Sequence, residues 1–223
     1  MTILKTINLN KVYNSGNIET RALNNVNVKI EEKEFVAVIG PSGSGKSTFL
    51  HMLGGVDKPT SGEIYIGERK INDLNEKELA VYRRRNIGFI FQSYNLISVL
   101  NVEENISMPV LLDNKDKVED LDELLDFLGL KDKRYNLPSE LSGGQQQRVA
   151  IGRALAYKPG IILADEPTGN LDRKSGKDII DLLKFSAKKY HQTLIIISHD
   201  LEIASQANRI LNIEDGIMNE VDK

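Results

Sequence analysis

The sequence predicts an α/β fold in which parallel strands alternate with helices. Three short apolar runs, residues 34–39, 161–164 and 193–197, have the length and composition of buried parallel strands. A helical pattern over residues 175–189 separates the last two runs, as expected for strands that a crossover helix joins. The long stretch 101–157 is mostly helical in pattern, which predicts a helical insert within the α/β core.

The other elements follow from local patterns along the chain. Alternating, β-favouring residues predict strands at 3–12, 26–30 and 63–66, and an apolar run predicts another at 87–91, just before Gln92. Helical spacing predicts helices at 46–53 and near 76–84. Within the helical insert, Leu121, Leu124, Leu125 and Leu128 recur at helical spacing, and Gly129 is the expected stop.

Bulk composition is that of an ordinary folded protein. The chain has 223 residues, 40% of them hydrophobic and 27% charged, and we expect a single domain over residues 1–223 with subdomains. Asp and Glu number 32 against 29 Lys and Arg, so no basic excess indicates a nucleic-acid partner. The absence of cysteine excludes disulfides and sulfur-ligated metals. No segment approaches the ~18 consecutive apolar residues of a membrane span, so we expect no unaided crossing of a membrane.

A glycine-rich loop, residues 40–48, joins the predicted strand 34–39 to the predicted helix 46–53. It has the spacing of a phosphate-binding loop, in which backbone N–H groups surround the phosphates. In this pattern Lys46 reaches the outer phosphates and the Ser47 hydroxyl binds magnesium. The N-terminus of the helix adds unsatisfied N–H groups and a favourable dipole.

Two adjacent acids follow the apolar run 161–164. Asp165 fits the magnesium shell, whereas Glu166 fits a group that orients or deprotonates water attacking a γ-phosphate. A solvated acidic turn is the alternative interpretation. The separate phosphate loop on the same chain favours the catalytic one.

The segment 141–145 indicates a second phosphate site. Ser142, Gly143, Gly144 and Gln145 precede a helical pattern, so a serine and bare backbone amides meet at a helix N-terminus, where anions bind. An N-cap followed by permissive glycines is the alternative. Two phosphate half-sites on one chain suggest a dimer.

The phosphate loop, the segment 141–145 and the two acids, in this order, resemble the ATP-binding cassette (ABC) family over essentially the whole chain. The resemblance implies a P-loop NTPase with a RecA-like core, an N-terminal antiparallel β subdomain and an inserted α-helical subdomain at about 93–157. It also implies that two copies hold two ATP molecules between them. Each ATP contacts the phosphate loop of one copy and the segment 141–145 of the other.

The resemblance also assigns expected roles to individual residues. Gln92 would reach magnesium or the attacking water, His199 would contact the γ-phosphate, Asp172 would couple the two sites, and Tyr13 would stack on adenine. Without the resemblance, Gln92 would be interpreted as a loop residue, His199 as a structural residue, Asp172 as a turn or helix-start residue and Tyr13 as a packing residue. The expected catalytic residues are Lys46, Gln92, Glu166 and His199; the magnesium ligands Ser47, Gln92 and Asp165; and the ATP-binding residues Tyr13, Gly40, Ser42, Gly43, Ser44, Gly45, Lys46, Ser47, Thr48, Ser142, Gly143, Gly144, Gln145 and Asp172.

The implied function is a magnesium-dependent ATPase that drives a separate integral membrane permease from the cytoplasmic face of the membrane. The macrolide-efflux, lipoprotein-release and antimicrobial-peptide-resistance branch is resembled by residues 13–16 with 21–23, 88–92, 141–149 and 166–172, which implies export or resistance. A regulatory or mechanical ABC ATPase that signals through a membrane partner in cell division would carry the same motifs. A nucleotide-binding module without turnover is a third reading, against which Glu166 and His199 argue. The basic triplet 83–85 is interpreted as a solvated helix end, not as a nucleic-acid or lipid site.

Overall fold

The structure, a computed structural model, describes residues 1–16, 18–113, 115 and 118–221. The chain forms two compact units, Met1–Ala80 with Thr193–Lys223, and Val81–Gln192. The strands are β1 (Thr2–Ser15), β2 (Ile18–Glu31), β3 (Phe35–Ile39), β4 (Ser61–Ile66), β5 (Arg69–Lys70), β6 (Ile87–Ile90), β7 (Ile161–Asp165), β8 (Thr193–Ile197), β9 (Arg209–Glu214) and β10 (Ile217–Val221). The helices are α1 (Lys46–Leu53), α2 (Glu76–Asn86), α3 (Val102–Leu111), α4 (Leu121–Phe127), α5 (Gly143–Leu155), α6 (Arg173–Lys189) and α7 (Leu201–Ala204).

An antiparallel sheet of order β2-β1-β4-β5 forms one layer of the first unit. Its two long strands pair Leu4 with Ile30 and Leu9 with Val26, and these four side chains are buried. One face of the hairpin therefore packs on the core, as alternation in an antiparallel sheet requires. The predicted antiparallel subdomain is confirmed, although both strands extend beyond the predicted residues because the outer ends of the hairpin are polar and lack the alternation.

The second sheet of the first unit has the strand order β10-β9-β3-β8. Strand β3 runs parallel to both β8 and β9, and Val38 pairs with Ile197. Both side chains are fully buried, which explains the near-continuous apolar runs. The predicted strands at 34–39 and 193–197 and the predicted helix at 46–53 are confirmed. Strands β9 and β10 were not predicted.

In the second unit, β6 and β7 run parallel, and Ile90 pairs with Ala164. The predicted helical insert is present as α3, α4 and α5 within the described residues. Gly152 of α5 allows close packing, since a Cβ there would lie 2.6 Å from a Leu128 methyl group and 2.8 Å from one of Ile106. Gly129, with φ of 65°, follows the end of α4, as the sequence predicted.

These elements confirm the predicted fold class: a parallel-rich sheet, an N-terminal antiparallel sheet and an inserted group of helices. The assignment of residues 1–223 to one domain, with a helical subdomain at about 93–157, stays a prediction. Within the described ranges, no helix is both long and apolar enough to span a membrane.

Candidate functional site

The phosphate loop lies between β3 and α1, where two of its glycines have no room for a side chain. A Cβ on Gly40 would lie 2.1 Å from the carbonyl oxygen of Ile213, and one on Gly45 would lie 2.1 Å from that of Ala22. Both residues also have positive φ, 142° and 108°. Gly43 likewise has positive φ, 77°, but a Cβ there would meet no atom within 4 Å. Glycine is thus required at the two ends of the loop by close backbone approach.

The loop encloses a buried ammonium group and a buried hydroxyl group. The Nζ of Lys46 donates hydrogen bonds to the carbonyl oxygens of Gly40 (3.0 Å) and Pro41 (2.6 Å). The Ser44 Oγ is buried and has no hydrogen-bond partner within the described ranges. The N-terminus of α1 has no side-chain cap and no acidic residue in its first turn. These donors fit an anionic ligand.

Ser42, Gly43 and Ser47 are exposed on this loop, and Thr48 is half-buried. Thr48 also connects the loop to Tyr13 of β1. Burial and the hydrogen bond to Asp57 raise the pKa of the Tyr13 phenol, and a hydrogen bond from Thr48 opposes that shift. The two residues therefore lie in contact in the first unit.

Tyr13 is partly exposed and anchored at its edge. Its hydroxyl donates to the Oδ2 of Asp57 at 2.9 Å, and the Nζ of Lys11 lies 4.7 Å from the ring centroid. The ring retains 40% of its exposure. A fixed, partly exposed aromatic ring next to the phosphate loop is compatible with stacking on a base.

His199 lies at the same sheet edge as the phosphate loop. It follows β8 by two residues, just as Gly40 follows Val38 of β3, and Val38 pairs with Ile197. The Ser198 N–H continues this pairing by donating to the carbonyl oxygen of Val38 at 3.2 Å. Because the carboxyl ends of parallel strands share one edge, the first unit brings His199 and the loop together.

In the second unit, the two acids occupy the end of β7 and the position just beyond it. Asp165 is the last strand residue and is half-buried. Glu166 follows with φ of 44°, a left-handed conformation that is unusual for a residue with a side chain. Its carbonyl oxygen accepts a hydrogen bond from the Gly169 N–H at 3.0 Å. The strand therefore ends in a sharp, strained turn.

Gln92 lies against this turn. Its Nε2 would be 2.9 Å from a Cβ on Gly169, and its carbonyl oxygen accepts a hydrogen bond from the Nδ2 of Asn170 at 3.0 Å. Strand β6 ends at Ile90, so Gln92 stands two residues beyond the strand. The structure thus brings Gln92 and the residues that follow Glu166 together.

The segment 141–145 forms the start of α5, with Ser142 as the N-cap. The Ser142 Oγ accepts a hydrogen bond from the Gln145 N–H at 3.4 Å, and the Ser142 N–H donates to the Oε1 of Gln145 at 2.9 Å. A Cβ on Gly143 would lie 3.0 Å from the Tyr94 hydroxyl oxygen, whereas one on Gly144 would make ordinary contact with Ser175. Tyr94 therefore crowds the helix start, which favours glycine at position 143.

Asp172 caps the N-terminus of α6. Its Oδ1 accepts hydrogen bonds from the N–H groups of Lys174 and Ser175, each at 3.0 Å, and the Ser175 hydroxyl donates to its Oδ2 at 2.6 Å. The bonds from Ser175 hold the pKa of Asp172 below its ordinary value. Since Gly144 also faces Ser175, the starts of α5 and α6 are neighbours.

Several residues that the sequence did not single out hold these loops in place. Arg153 donates to the carbonyl oxygens of Tyr94 (2.8 Å) and Asn95 (2.6 Å), and burial lowers its pKa. Gln147 donates to the carbonyl oxygen of Pro167 at 2.8 Å. No local pattern marks these two side chains, because their partners are distant in sequence.

Residues 23–169 match the model of the ABC transporter family. The chain is 46% identical over 222 residues to an uncharacterised ABC transporter ATP-binding protein of Methanocaldococcus jannaschii, covering 98% of this chain and 99% of the relative. It is 42% identical over 221 residues to the lipoprotein-releasing system ATP-binding protein LolD of Rickettsia typhi, covering 98% of each. It is 46% identical over 219 residues to the macrolide export ATP-binding/permease protein MacB of Mannheimia succiniciproducens, covering 97% of this chain and 34% of the relative.

A solved structure is similar over the same length. It is the dimeric, post-hydrolysis state of an ATP-binding cassette of Methanocaldococcus jannaschii bound to ADP and Pi, with a TM-score of 0.89, 42% identity and 99% of both chains covered. Family, relatives and fold agree with the arrangement of motifs in the two units. The chain therefore belongs to the ABC transporter family, as one of its ATP-binding, ATP-hydrolysing cassettes.

Proposed function

We propose that this chain pairs with a second copy around two ATP molecules and drives a membrane permease by ATP hydrolysis. One observation carries the proposal: two helices, which begin at Lys46 in the first unit and at Gly143 in the second, each follow a segment of glycine and serine, the kind of helix start that binds anions. A solved cassette of 42% identity is a dimer bound to ADP and Pi, which supports the pairing.

Binding and hydrolysis are divided among the residues of each unit. In the proposal Lys46 and the loop residues Gly40, Ser42, Gly43, Ser44, Gly45, Ser47 and Thr48 bind the phosphates of one ATP. Tyr13 stacks on its adenine and His199 binds its γ-phosphate. The second copy supplies Ser142, Gly143, Gly144 and Gln145 to that same ATP, and Asp172 couples the two sites. The buried Ser44 hydroxyl without a partner in the described part of the chain supports the phosphate assignment.

Mg²⁺ fits the donors that the motifs offer. Ser47, Asp165 and Gln92 provide hydroxyl, carboxylate and amide oxygens, the ligand types that Mg²⁺ takes. Mg²⁺ is commonly bound by one or two protein oxygens together with substrate phosphates, and this donor set suits that mode of binding. When bound, Mg²⁺ neutralises charge on the phosphates.

Glu166 is the proposed general base. Its carboxylate orients the attacking water and accepts a proton from it, while Lys46 and His199 bind the oxygens on which charge develops. The left-handed backbone of Glu166 supports this role, because strained residues cluster at catalytic sites.

The proposed partner is a permease with a large extracytoplasmic domain, and the proposed location is the cytoplasmic face of the membrane. The similarity to proteins named for lipoprotein release and macrolide export supports work on exported substrates. Affinity purification of the full chain from its own membranes tests this: the proposal expects one permease to co-purify, and a chain that extracts without any membrane protein would contradict it.

The enzymatic part of the proposal is tested by Lys46→Ala. Because the ammonium group is the loop's buried cation, its loss should lower Mg²⁺-dependent ATP hydrolysis at least ~100-fold, which corresponds to about 2.7 kcal/mol. The measurement is phosphate release by the full chain at high protein concentration. Lys58→Ala, which removes an exposed lysine of the same unit, is the control and should retain wild-type turnover. Equal rates for both variants would contradict the assignment.

A further inference from the structure

Gln147 is a fully buried polar residue on α5, with 0% exposure. Its Nε2 donates to the carbonyl oxygen of Pro167 at 2.8 Å. Its Oε1 is also buried, and no residue that the structure describes provides a hydrogen-bond partner for it. Buried side-chain amides normally have partners at both ends, so this half-satisfied amide calls for an explanation.

Gln192 of the same unit shows what a purely structural glutamine looks like. It is 1% exposed, and its Nε2 also donates to a proline carbonyl oxygen, that of Pro159, at 2.8 Å. Its Oε1 accepts a hydrogen bond from the Ser186 hydroxyl at 3.0 Å. The two glutamines therefore match in burial and donor geometry, and they differ in the acceptor end and in location.

The partner of Gln147 is the carbonyl group of Pro167, the residue that follows Glu166. Glu166 has φ of 44°, and such a conformation persists only where the surroundings enforce it. Pro167 has no N–H, so the Glu166–Pro167 peptide offers no backbone donor to hold the turn. The Glu166 carbonyl oxygen is held by Gly169, and the Pro167 carbonyl oxygen is held by Gln147. The side chain from α5 thus completes the bonds that hold the turn.

We propose that Gln147 is a positioning residue that couples the helix starting after Ser142 to the backbone that carries Glu166. This inference rests on the proposed function of both groups. Ser142 contacts the ATP of the second copy, and Gln147 lies in the second turn of the same helix, for which Ser142 is the N-cap. Engagement of that ATP by α5 is therefore transmitted to the Glu166 turn through one hydrogen bond. Each copy senses its partner's nucleotide and sets its own catalytic carboxylate accordingly.

The test compares Gln147→Met with Gln192→Met in the full chain. Both changes remove one hydrogen bond to a proline carbonyl from a buried site and keep the side-chain length. For Gln147→Met we expect kcat for ATP hydrolysis to fall about 10- to 100-fold, because small misplacements of catalytic groups have effects of that size. The KM for ATP and ATP-dependent dimer formation should stay near wild type, because Ser142 and the phosphate loop are intact. Gln192→Met should keep the wild-type kcat.

Equal kcat values for the two variants would overturn the inference, as would a Gln147→Met effect confined to KM. If the methionine variant does not fold, Gln147→Asn replaces it, since its shorter amide cannot reach the Pro167 carbonyl oxygen; a wild-type kcat for that variant would equally overturn the inference. Lys46→Ala and Glu166→Gln are measured alongside. Wild-type turnover in those two variants contradicts the proposed function itself, whereas their inactivity beside a fully active Gln147→Met contradicts only the coupling.

Discussion

Gly45, at the N-terminus of α1, lies so close to the backbone of β2 that no side chain fits there. A Cβ there would lie 2.1 Å from the Ala22 carbonyl oxygen, and φ is 108°. Gly45→Ala must therefore shift β2 or the phosphate loop, and we expect it to lower the free energy of unfolding by more than ~2 kcal/mol. Gly67→Ala is the control, since φ there is 58° and no atom lies within 4 Å; it should cost only about 1 kcal/mol of backbone strain. Urea unfolding measures both, and equal losses would contradict the role of the close contact.

The sequence predicts single residues well where chemistry restricts the choice of residue. Gly40, Gly45 and Lys46 belong to a local spacing that few other functions need, so the loop was recognisable without coordinates. The sequence does not mark Gln147 or Arg153. Gln147 donates to a backbone carbonyl group 20 residues away, and Arg153 donates to one 59 residues away. Their roles depend on tertiary packing, which no local pattern encodes.

At the scale of elements, Asp113 joins the end of α2 to the segments that follow α3 and α5. Its carboxylate accepts from Arg84 at 3.0 Å, Arg85 at 2.7 Å and the Tyr157 hydroxyl at 2.7 Å. The sequence pattern of the basic triplet 83–85 favours a solvated helix end. Two of its three arginines instead bind this carboxylate, and the partner could not be foreseen because it is 28 residues beyond Arg85.

This cluster predicts a pH dependence of stability. The bonds from Arg85 and Tyr157 hold the pKa of Asp113 well below its ordinary value of 3.8. A depressed folded-state pKa means that the stabilisation is complete above about pH 4 and is lost as the pH falls below that value. Asp113→Asn should therefore be less stable than wild type at pH 7, and the difference should shrink in acid. Asp126→Asn, at an exposed acid of α4, is the control; a pH-independent difference for Asp113→Asn would contradict the ion-pair explanation.

The elements themselves were predictable to different degrees. Helix α1 has the predicted bounds because the loop fixes its first residue, and β3 and β8 match because buried parallel strands are continuous apolar runs. Strand β10 was missed because nearly all of its residues are exposed, and β9 because its apolar residues neither form a continuous run nor alternate regularly. The dipeptide Asp215-Gly216 between them, with φ of 49° and 75°, was the available signal for a two-residue hairpin turn.

At the scale of the whole molecule, the second unit carries groups that serve the other copy in the proposed dimer. Ser142 already bonds to Gln145 within its own helix, and Asp172 already caps α6. Neither residue therefore depends on ATP for its local conformation. A preorganised surface of this kind binds a partner's ligand without a large ordering cost.

Glu166→Gln should convert transient pairing into a stable dimer. The amide keeps the size of the side chain but cannot accept a proton from water, so ATP would bind and remain unhydrolysed. Because ATP favours the closed pair, the equilibrium then shifts toward a species of twice the 25.0 kDa chain mass. Size-exclusion chromatography with light scattering at saturating ATP measures the dimer fraction, and the control sample with ADP should contain monomers.

Adding Ser142→Arg to the Glu166→Gln chain should return the ATP sample to monomers, because the arginine removes the N-cap and obstructs the phosphate of the other copy. A Glu166→Gln chain that stays monomeric at high protein concentration and saturating ATP would contradict the shared-site dimer, even if hydrolysis is lost.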